Sequence, residues 1–366
     1  MIVSTFHSLK LIFAAVLELI YLIQKLKNWE HWPFKILYAP IAPVWLWYII
    51  RSRAVWFFTP SNPLLTFGGM EGEPKKEMHD LLPPNLCPPF FNVQPSENFE
   101  KILERISAKK IHFPLIVKPE VGGQGILFRK IDTKEQLKIY HEKIPVEYFV
   151  QELIHYPLEV SLFYYRHPRE ATGTISGFLE KVPMQVIGDG KHTLEELILI
   201  NSKSKKKIED LRLKHANNFP IILPEGQKYM LSYAANHNRG ASFIDLKDEI
   251  DDQLINLLDG ISHKNDFFYG RYDIMCTSIE ELKQGKNFVI LEYNGCGAEP
   301  NHFYDTGYTL INAWKEILKH WKILYSISRQ KYKDGVKYWP LIKGIRFRLA
   351  TKKHYKIIKA ADRIIP

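Results

Sequence analysis

Hydrophobic and polar positions divide this chain into regions of different character. Residues 11–24 (LIFAAVLELIYLIQ) are apolar except for Glu18 and Gln24, and residues 36–50 (ILYAPIAPVWLWYII) carry no charge. Neither run reaches the roughly 18–20 residues that cross a bilayer as a helix. Pro40 and Pro43 further interrupt the second run. Residues 60–96 are punctuated by Pro and Gly, which predicts loops with one short helix near 75–82. Phe99, Ile102, Leu103 and Ile106 then recur at helical spacing, predicting a helix over 97–109 with Ser96 as its N-cap.

From Ile111 the pattern shortens to strands mixed with helices. Strands are predicted over 113–119, 126–129, 148–154, 159–165, 172–180, 232–244, 267–275 and 288–293. Helices are predicted over 133–144, 194–200, 250–261 and from Tyr308 to about Leu324. Thr193 and Glu196 have the spacing of a capping box. This alternation predicts an α+β fold with antiparallel sheets.

Composition sets limits on this picture. With 46% apolar and 25% charged residues in 366, the chain can build a core and is not a disordered polymer. The net charge of +10 fits an anionic partner such as ATP or anionic lipid. Much of that charge lies between Lys331 and Arg363, where it is read either as a lipid-facing tail or as a solvated helical face. No zinc-finger spacing, basic heptad helix or aromatic RNA-binding strand is present, so nucleic acid is not an expected partner. Cys87, Cys276 and Cys296 form no CxxC pair, which suits a reducing compartment. Five of the eight tryptophans, Trp29, Trp32, Trp45, Trp47 and Trp56, fall in the first sixty residues. Tryptophan favours membrane–water interfaces. With Lys25, Lys27, Arg51 and Arg53 beside it, residues 1–59 are expected to associate with the cytoplasmic face of a membrane. The alternative is a helical hairpin packed on a cytoplasmic protein.

Two groups of residues carry candidate chemistry. Lys118 precedes the glycine-rich turn Val121-Gly122-Gly123-Gln124-Gly125. Glycines let backbone N–H groups approach phosphate oxygens, and a nearby lysine adds positive charge. A plain tight turn is the competing reading. Farther on, Arg271-x-Asp273 and Glu292-x-Asn294 each place two side chains on one strand face. Two carboxylates and an amide oxygen suit Mg²⁺, and Arg271 could stabilise developing negative charge. A solvated charged face is the alternative, opposed by the apolar neighbours Ile274, Val289, Ile290 and Leu291. Two weaker groups remain. Gln151, Glu152, Leu153 and Ile154 end a strand and could border an adenine, with Glu159 seven residues beyond Glu152. Asn236-His-Asn238-Arg239-Gly240-Ala241 reads as an anion contact or a hairpin with a surface arginine.

Taken in order, these motifs over residues 111–325 resemble the ATP-grasp superfamily. Val117-Lys118-Pro119, Arg271-x-Asp273 and Glu292-x-Asn294 are similar to D-alanine–D-alanine ligases. The segments 186–198 and 234–241 look more like cyanophycin synthetases and bifunctional glutathione-forming ligases. The resemblance implies two α+β subdomains clasping ATP. It implies that Lys118, with Gly122, Gly123, Gln124 and Gly125, contacts the phosphates, that Gln151 to Ile154 border the adenine, and that Glu159 holds the ribose. It also implies two Mg²⁺ ions (or Mn²⁺ in their place) on Asp273, Glu292 and Asn294, with Arg271 and Lys118 acting on the reacting groups; Arg239, read from its own segment as an anion or substrate contact, is a third catalytic candidate.

The expected activity is ADP-forming ligation of a small-molecule or lipid carboxylate to an amine through an acyl phosphate. The alternatives are a phosphotransferase and a non-catalytic nucleotide-binding membrane protein. The expected domains are an apolar segment over 1–59, a Pro/Gly-rich linker and shortened pre-domain over 60–110, the ATP-grasp domain over 111–325, and a basic tail over 326–366. The turn Gly295-Cys-Gly-Ala-Glu-Pro-Asn-His302 is unlike the Ser-rich turn of D-alanine ligases, so D-alanine is not the expected substrate. Glu299, Asn301 and His302 are candidates to line the acceptor site.

Overall fold

The computed structural model describes residues 29–233 and 235–365. The apolar run 11–24 lies outside them. Helices α1 (Phe34–Tyr38), α2 (Ala42–Ser52) and α3 (Lys75–Leu81) precede a mixed α/β body. Strands β1 (Phe90–Val93), β2 (Leu115–Pro119), β3 (Arg129–Ile131) and β4 (Tyr148–Glu152) form an antiparallel sheet in the order β1-β4-β2-β3. Helices α4 (Phe99–Ala108) and α5 (Lys134–Lys143) accompany this sheet. Ile102 and Ile106 of α4 and Leu137 and Tyr140 of α5 close its core against Leu115, Val117 and Val150.

Next come β5 (Leu158–Tyr165) and β6 (Thr174–Val182), followed by a small unit. That unit pairs β7 (Gln185–Ile187) with β8 (Lys228–Met230) and carries α6 (Leu194–Ile200) and α7 (Ile208–His215). Thr193 and Glu196 start α6 reciprocally, as their spacing predicts. Strands β9 (Ser242–Asp245), β10 (Tyr269–Cys276) and β11 (Phe288–Asn294) complete a five-stranded antiparallel sheet, ordered β11-β10-β5-β6-β9. Helix α8 (Asp252–Ser262) buries Leu254, Leu258 and Ile261 with Val160, Leu162, Ile274 and Ile290 of that sheet. Helix α9 (Ile279–Lys283) lies between β10 and β11, and α10 (Leu310–Lys333) and α11 (Leu341–Ala361) follow.

Several expected boundaries move for identifiable reasons. Asn98, not Ser96, caps α4, because its Oδ1 accepts from the Glu100 and Lys101 amides. Residues 126–128 turn rather than extend, since Gln124, Gly125 and Leu127 adopt positive φ. Among the described residues of 232–244, only the stretch from Ser242 is strand, and His237–Arg239 form a single 3₁₀ turn ending at Gly240 with φ 89°. Helix α10 continues to Lys333 because Leu324, Tyr325, Ile327 and Ser328 still face a core.

The described aromatics near the start of the chain mostly point inward. Trp29 and Trp56 are buried, and Trp45 packs on Phe57 and Trp321 at centroid distances of 4.8 and 5.0 Å. Trp47 is the exception, at 54% exposure. No helix among the described residues is long and apolar enough to cross a membrane.

Two histidines are buried in neutral form. Burial pushes His79 down to about 3, and Lys118 and Lys75 act in the same direction. Burial likewise lowers His320 to about 4. The His320 ring bonds the Glu316 carbonyl at 2.9 Å and the Ser176 hydroxyl at 2.9 Å, which a neutral tautomer satisfies. The unfolded chain therefore takes up protons below pH 6.5 while the native state does not, so stability falls as pH drops from 6.5 towards 4. By pH 5 this amounts to about 2 kcal/mol per histidine. Buried carboxylates with raised pKa gain stability over the same range, so the test is the difference between proteins: the pH 5 minus pH 7 change in urea midpoint should be less unfavourable in His320→Asn than in the wild type by that share. The same pH dependence in His320→Asn and wild type would mean that the His320 ring is charged in the fold.

Candidate active site

The antiparallel register brings the predicted carboxylates together. Asp273 pairs with Glu292 and Arg271 with Asn294 across β10 and β11, while Ser161 pairs with Asp273 from the β5 side. Strand alternation puts these side chains on one face. A register shift after Asp273 marks the point where the apolar half of β10 begins. Asp273 accepts from Ser161 Oγ at 2.8 Å, Arg271 Nε at 3.2 Å and Asn294 Nδ2 at 3.3 Å.

Lys181, on β6, was not singled out by its sequence neighbourhood. Its Nζ lies 3.0 Å from Glu159 and 3.1 Å from Asp273, and the side chain is 4% exposed. Burial would raise the Asp273 carboxyl, but Arg271 and Lys181 hold it well below the usual carboxylate range. Lys181 is held charged, against the effect of burial, by Asp273 and Glu159. Lys181 stands on the same strand face as buried Leu179, in Ile175-Ser-Gly-Phe-Leu-Glu-Lys181, and that alternation was the available signal.

The Glu292 side chain makes no hydrogen bond or close ion pair among the described residues. Its charge is felt by Lys118 of the four-stranded sheet, so the two sheets face one another here. Burial lowers Lys118 to about 8, partly offset by Glu292. Lys118 has no carboxylate at bonding distance among the described residues, so a phosphate would find it uncompensated. Glu292, Asp273 and the Asn294 amide oxygen form an all-oxygen donor set that fits a hard cation such as Mg²⁺. The half-free Glu292 is the observation that supports this fit.

The glycine-rich turn is held from four directions. Arg239 donates to the Gln124 and Gly125 carbonyls at 3.2 Å each, and Lys75 Nζ donates to the Gly122 carbonyl at 2.7 Å. His354 of α11 bonds the Val121 carbonyl at 2.7 Å, and Asp362 accepts from the Leu127 amide at 2.8 Å. Arg239 thus sits on the loop, and its nearest carboxylate is Asp362 at 3.6 Å. Gly123 is open on one side, where an added Cβ would meet only the Tyr355 hydroxyl at 3.5 Å.

The remaining predicted residues lie at the end of β4. Gln151 is buried with its Oε1 lacking a hydrogen-bond partner, and Glu152, Leu153 and Ile154 are half-buried. Of the acceptor candidates, Glu299 accepts from the hydroxyls of Tyr38 at 2.5 Å and Tyr304 at 3.1 Å, and its backbone carbonyl receives Arg271 Nη1 at 3.3 Å. Asn301 donates to Ser161 at 3.4 Å. His302 is buried beside Gly177 and lies 3.4 Å from Glu316.

A loop from the Pro-rich region completes the site. Cys296 and Gly297 donate their amides to the carbonyls of Gly68 and Gly69 at 3.1 and 2.9 Å. A Cβ on Gly297 would fall 1.9 Å from the Met70 carbonyl oxygen, so only glycine permits this approach. Buried Asn62 anchors the loop, accepting from the Phe268 amide and donating to the Tyr269 carbonyl. This brings in Glu73, whose Oε2 is buried without a hydrogen-bond partner. Burial raises Glu73 to about 7, with Lys75 acting against it and Glu292 adding to it.

The chain is similar to the cyanophycin synthetase of Crocosphaera subtropica, with 25% identity over 208 residues, covering 50% of this chain and 23% of that protein. The Synechocystis cyanophycin synthetase gives 24% over the same length. The chain thus resembles ATP-grasp ligases, and cyanophycin synthetases are among the relatives to which its motifs point. It spans about a quarter of the length of those relatives. No family model matches it. Among solved structures, VanG D-Ala:D-Ser ligase from Enterococcus faecalis overlaps 71% of the chain, and 62% of its own, at 15% identity and TM-score 0.40. A bifunctional glutathione synthetase from Pasteurella multocida overlaps 67% of the chain, and 36% of its own, at 17% identity and TM-score 0.36.

The ion-pair arrangement gives a direct stability contrast. Lys181→Met leaves Glu159 and Asp273 short of a buried partner and should cost about 3 kcal/mol or more in urea denaturation. Glu292→Gln removes a carboxylate that holds no partner and should leave the midpoint unchanged within about 0.5 kcal/mol. Equal losses in the two variants would contradict this assignment of partners.

Proposed function

We propose that the chain is an ATP-grasp enzyme, a Mg·ATP-dependent and ADP-forming carboxylate–amine ligase that works through an acyl phosphate. The observation that carries this reading is the meeting of Lys118, Lys181 and Arg271 with Asp273, Glu292 and Asn294 between two antiparallel sheets. Lys118 and Lys181 would neutralise ATP phosphates. The loop Gly122–Gly125 would cover them with its backbone. The end of β4, Gln151 to Ile154, would border the adenine, and Glu159 would face the ribose. Asp273, Glu292 and Asn294 would hold Mg²⁺, which supplies charge neutralisation at the transferring phosphoryl group.

Arg271 is fixed against Asp273 and the Glu299 carbonyl, so its guanidinium is preorganised for an acyl phosphate and for the tetrahedral adduct formed when the amine attacks. Glu73, raised to about 7 and with its Oε2 free of hydrogen-bond partners, suits the acceptance of a proton from that amine. The carboxylate and amine are small-molecule or lipid species. Exposed Leu46, Trp47 and Ile50 on α2 and Ile342, Ile345 and Leu349 on α11, set among basic residues, support action at a membrane surface.

An ADP-release assay with Mg·ATP, hydroxylamine and a mixture of cellular metabolites and lipids tests the reaction. Wild-type protein should yield a hydroxamate detectable by mass spectrometry, and Arg271→Ala and Asp273→Ala should reduce it by at least about a hundredfold. ADP without hydroxamate would favour a phosphotransferase, and absence of nucleotide binding would overturn the reading altogether. With the true amine, Glu73→Gln should slow product formation by about a hundredfold while nucleotide binding persists.

A further inference from the structure

A cleft of about 630 Å³ is lined by none of the residues of the candidate active site. It is lined by Trp47, Tyr48 and Arg51 of α2, by Arg169 from the turn after β5, and by Lys322 and Arg329 of α10, among others. Lys333 also contributes, so five cations meet in one cleft whose lining contains no carboxylate. The nearest acid described is Asp334, already 3.2 Å from Arg169. Arg51, Lys322 and Lys333 make no hydrogen bond or ion pair among the described residues. Like charges gathered without counter-charge repel one another, so the cleft is complementary to an anion.

The cleft is built rather than accidental. Tyr48 and Tyr325 stack at 4.4 Å with 15° between their rings. Arg329 Nη1 donates to the Tyr325 hydroxyl at 2.8 Å, which fixes that guanidinium. The edge of the cleft is apolar. Leu46, Trp47 and Ile50 are 55%, 54% and 59% exposed. On α2 the pair Trp47 and Arg51 and the pair Leu46 and Ile50 are each four residues apart, so two adjoining stripes run along the helix. One stripe lines the basic cleft, and the other faces outward beside it. The eleven residues of α2 include no acid.

We infer that this cleft receives the phosphate of an anionic glycerophospholipid in a bilayer, while Leu46, Trp47 and Ile50 enter the boundary of the acyl chains. A bilayer offers both halves of the required chemistry, a phosphate layer above an apolar one. Trp47 belongs to both stripes' border and matches the interfacial preference of tryptophan. A free phosphate ester would use the five cations but would leave the apolar stripe without a role. The inference rests on the membrane-surface reading above and gives it a specific headgroup site.

Vesicle flotation tests both at once. Probes are phosphatidylcholine vesicles and the same vesicles containing phosphatidylglycerol. The variants are Arg51→Glu/Lys322→Glu/Lys333→Glu and Leu46→Ser/Ile50→Ser. Wild type should partition at least tenfold more strongly onto the anionic vesicles. The charge-reversed protein should lose that preference, and the serine variant should bind more weakly while keeping it. Retained Mg·ATP binding and an unchanged urea midpoint would show that both variants are folded. Equal binding of wild type to both vesicles would leave the membrane reading standing and overturn the headgroup site. An anionic preference that survives charge reversal would overturn the site as well. Absence of binding to either vesicle would overturn both. So would protection of Arg51 and Lys322 from chemical modification by glycerol 3-phosphate without vesicle binding, which would identify a soluble ligand.

Discussion

Lys181, Glu159, Asp273 and Arg271 share one face of the five-stranded sheet with little access to water. Buried ions are tolerated only when they meet partners with good geometry. Two cations and two carboxylates in adjoining registers satisfy each other, and Ser161 and Asn294 supply the remaining bonds to Asp273. The order β11-β10-β5-β6 brings residues from four strands to this one patch. The Leu and Ile side chains on the opposite face, closed by α8, keep the patch from shifting.

Around that patch, backbone approach is controlled by small residues and polar clamps. The turn after Asn294 lies directly on the loop from Gly68 to Met70, a contact that a side chain at Gly297 would prevent. Asn62 imitates a strand edge for the first residues of β10. The Pro-rich region is therefore part of the site's wall, and it delivers Glu73 and Lys75 to positions near Lys118 and Glu292.

Much of this was legible in the sequence, for physical reasons that differ by residue. Arg271-x-Asp273 and Glu292-x-Asn294 were readable because strand alternation alone decides which side chains share a face, and apolar neighbours announce burial. The capping box at Thr193 was readable because its two bonds are local. Lys181 was not, since its role depends on the pairing of β5 with β10, which carries Asp273 across a long stretch of chain. Glu73 was hidden for the same reason. The strand expected over 232–244 failed at Gly240 and the turn before it, where local conformation outweighed apolar content. The tryptophans near the start pattern like an interfacial belt, yet most serve as packing for α10, because an aromatic ring gains as much from a protein core as from a bilayer edge.

The ties on the glycine-rich turn have a consequence for how the molecule comes together. Val121 is bonded to His354, and Leu127 to Asp362, across sequence separations of 233 and 235 residues. Contacts between residues so far apart in the chain are non-local and form slowly. The sheets can assemble from nearer neighbours well before α11 arrives to secure this turn. Protection of the backbone of this turn during refolding would then lag behind the gain of secondary structure, and would time the docking of the far helix.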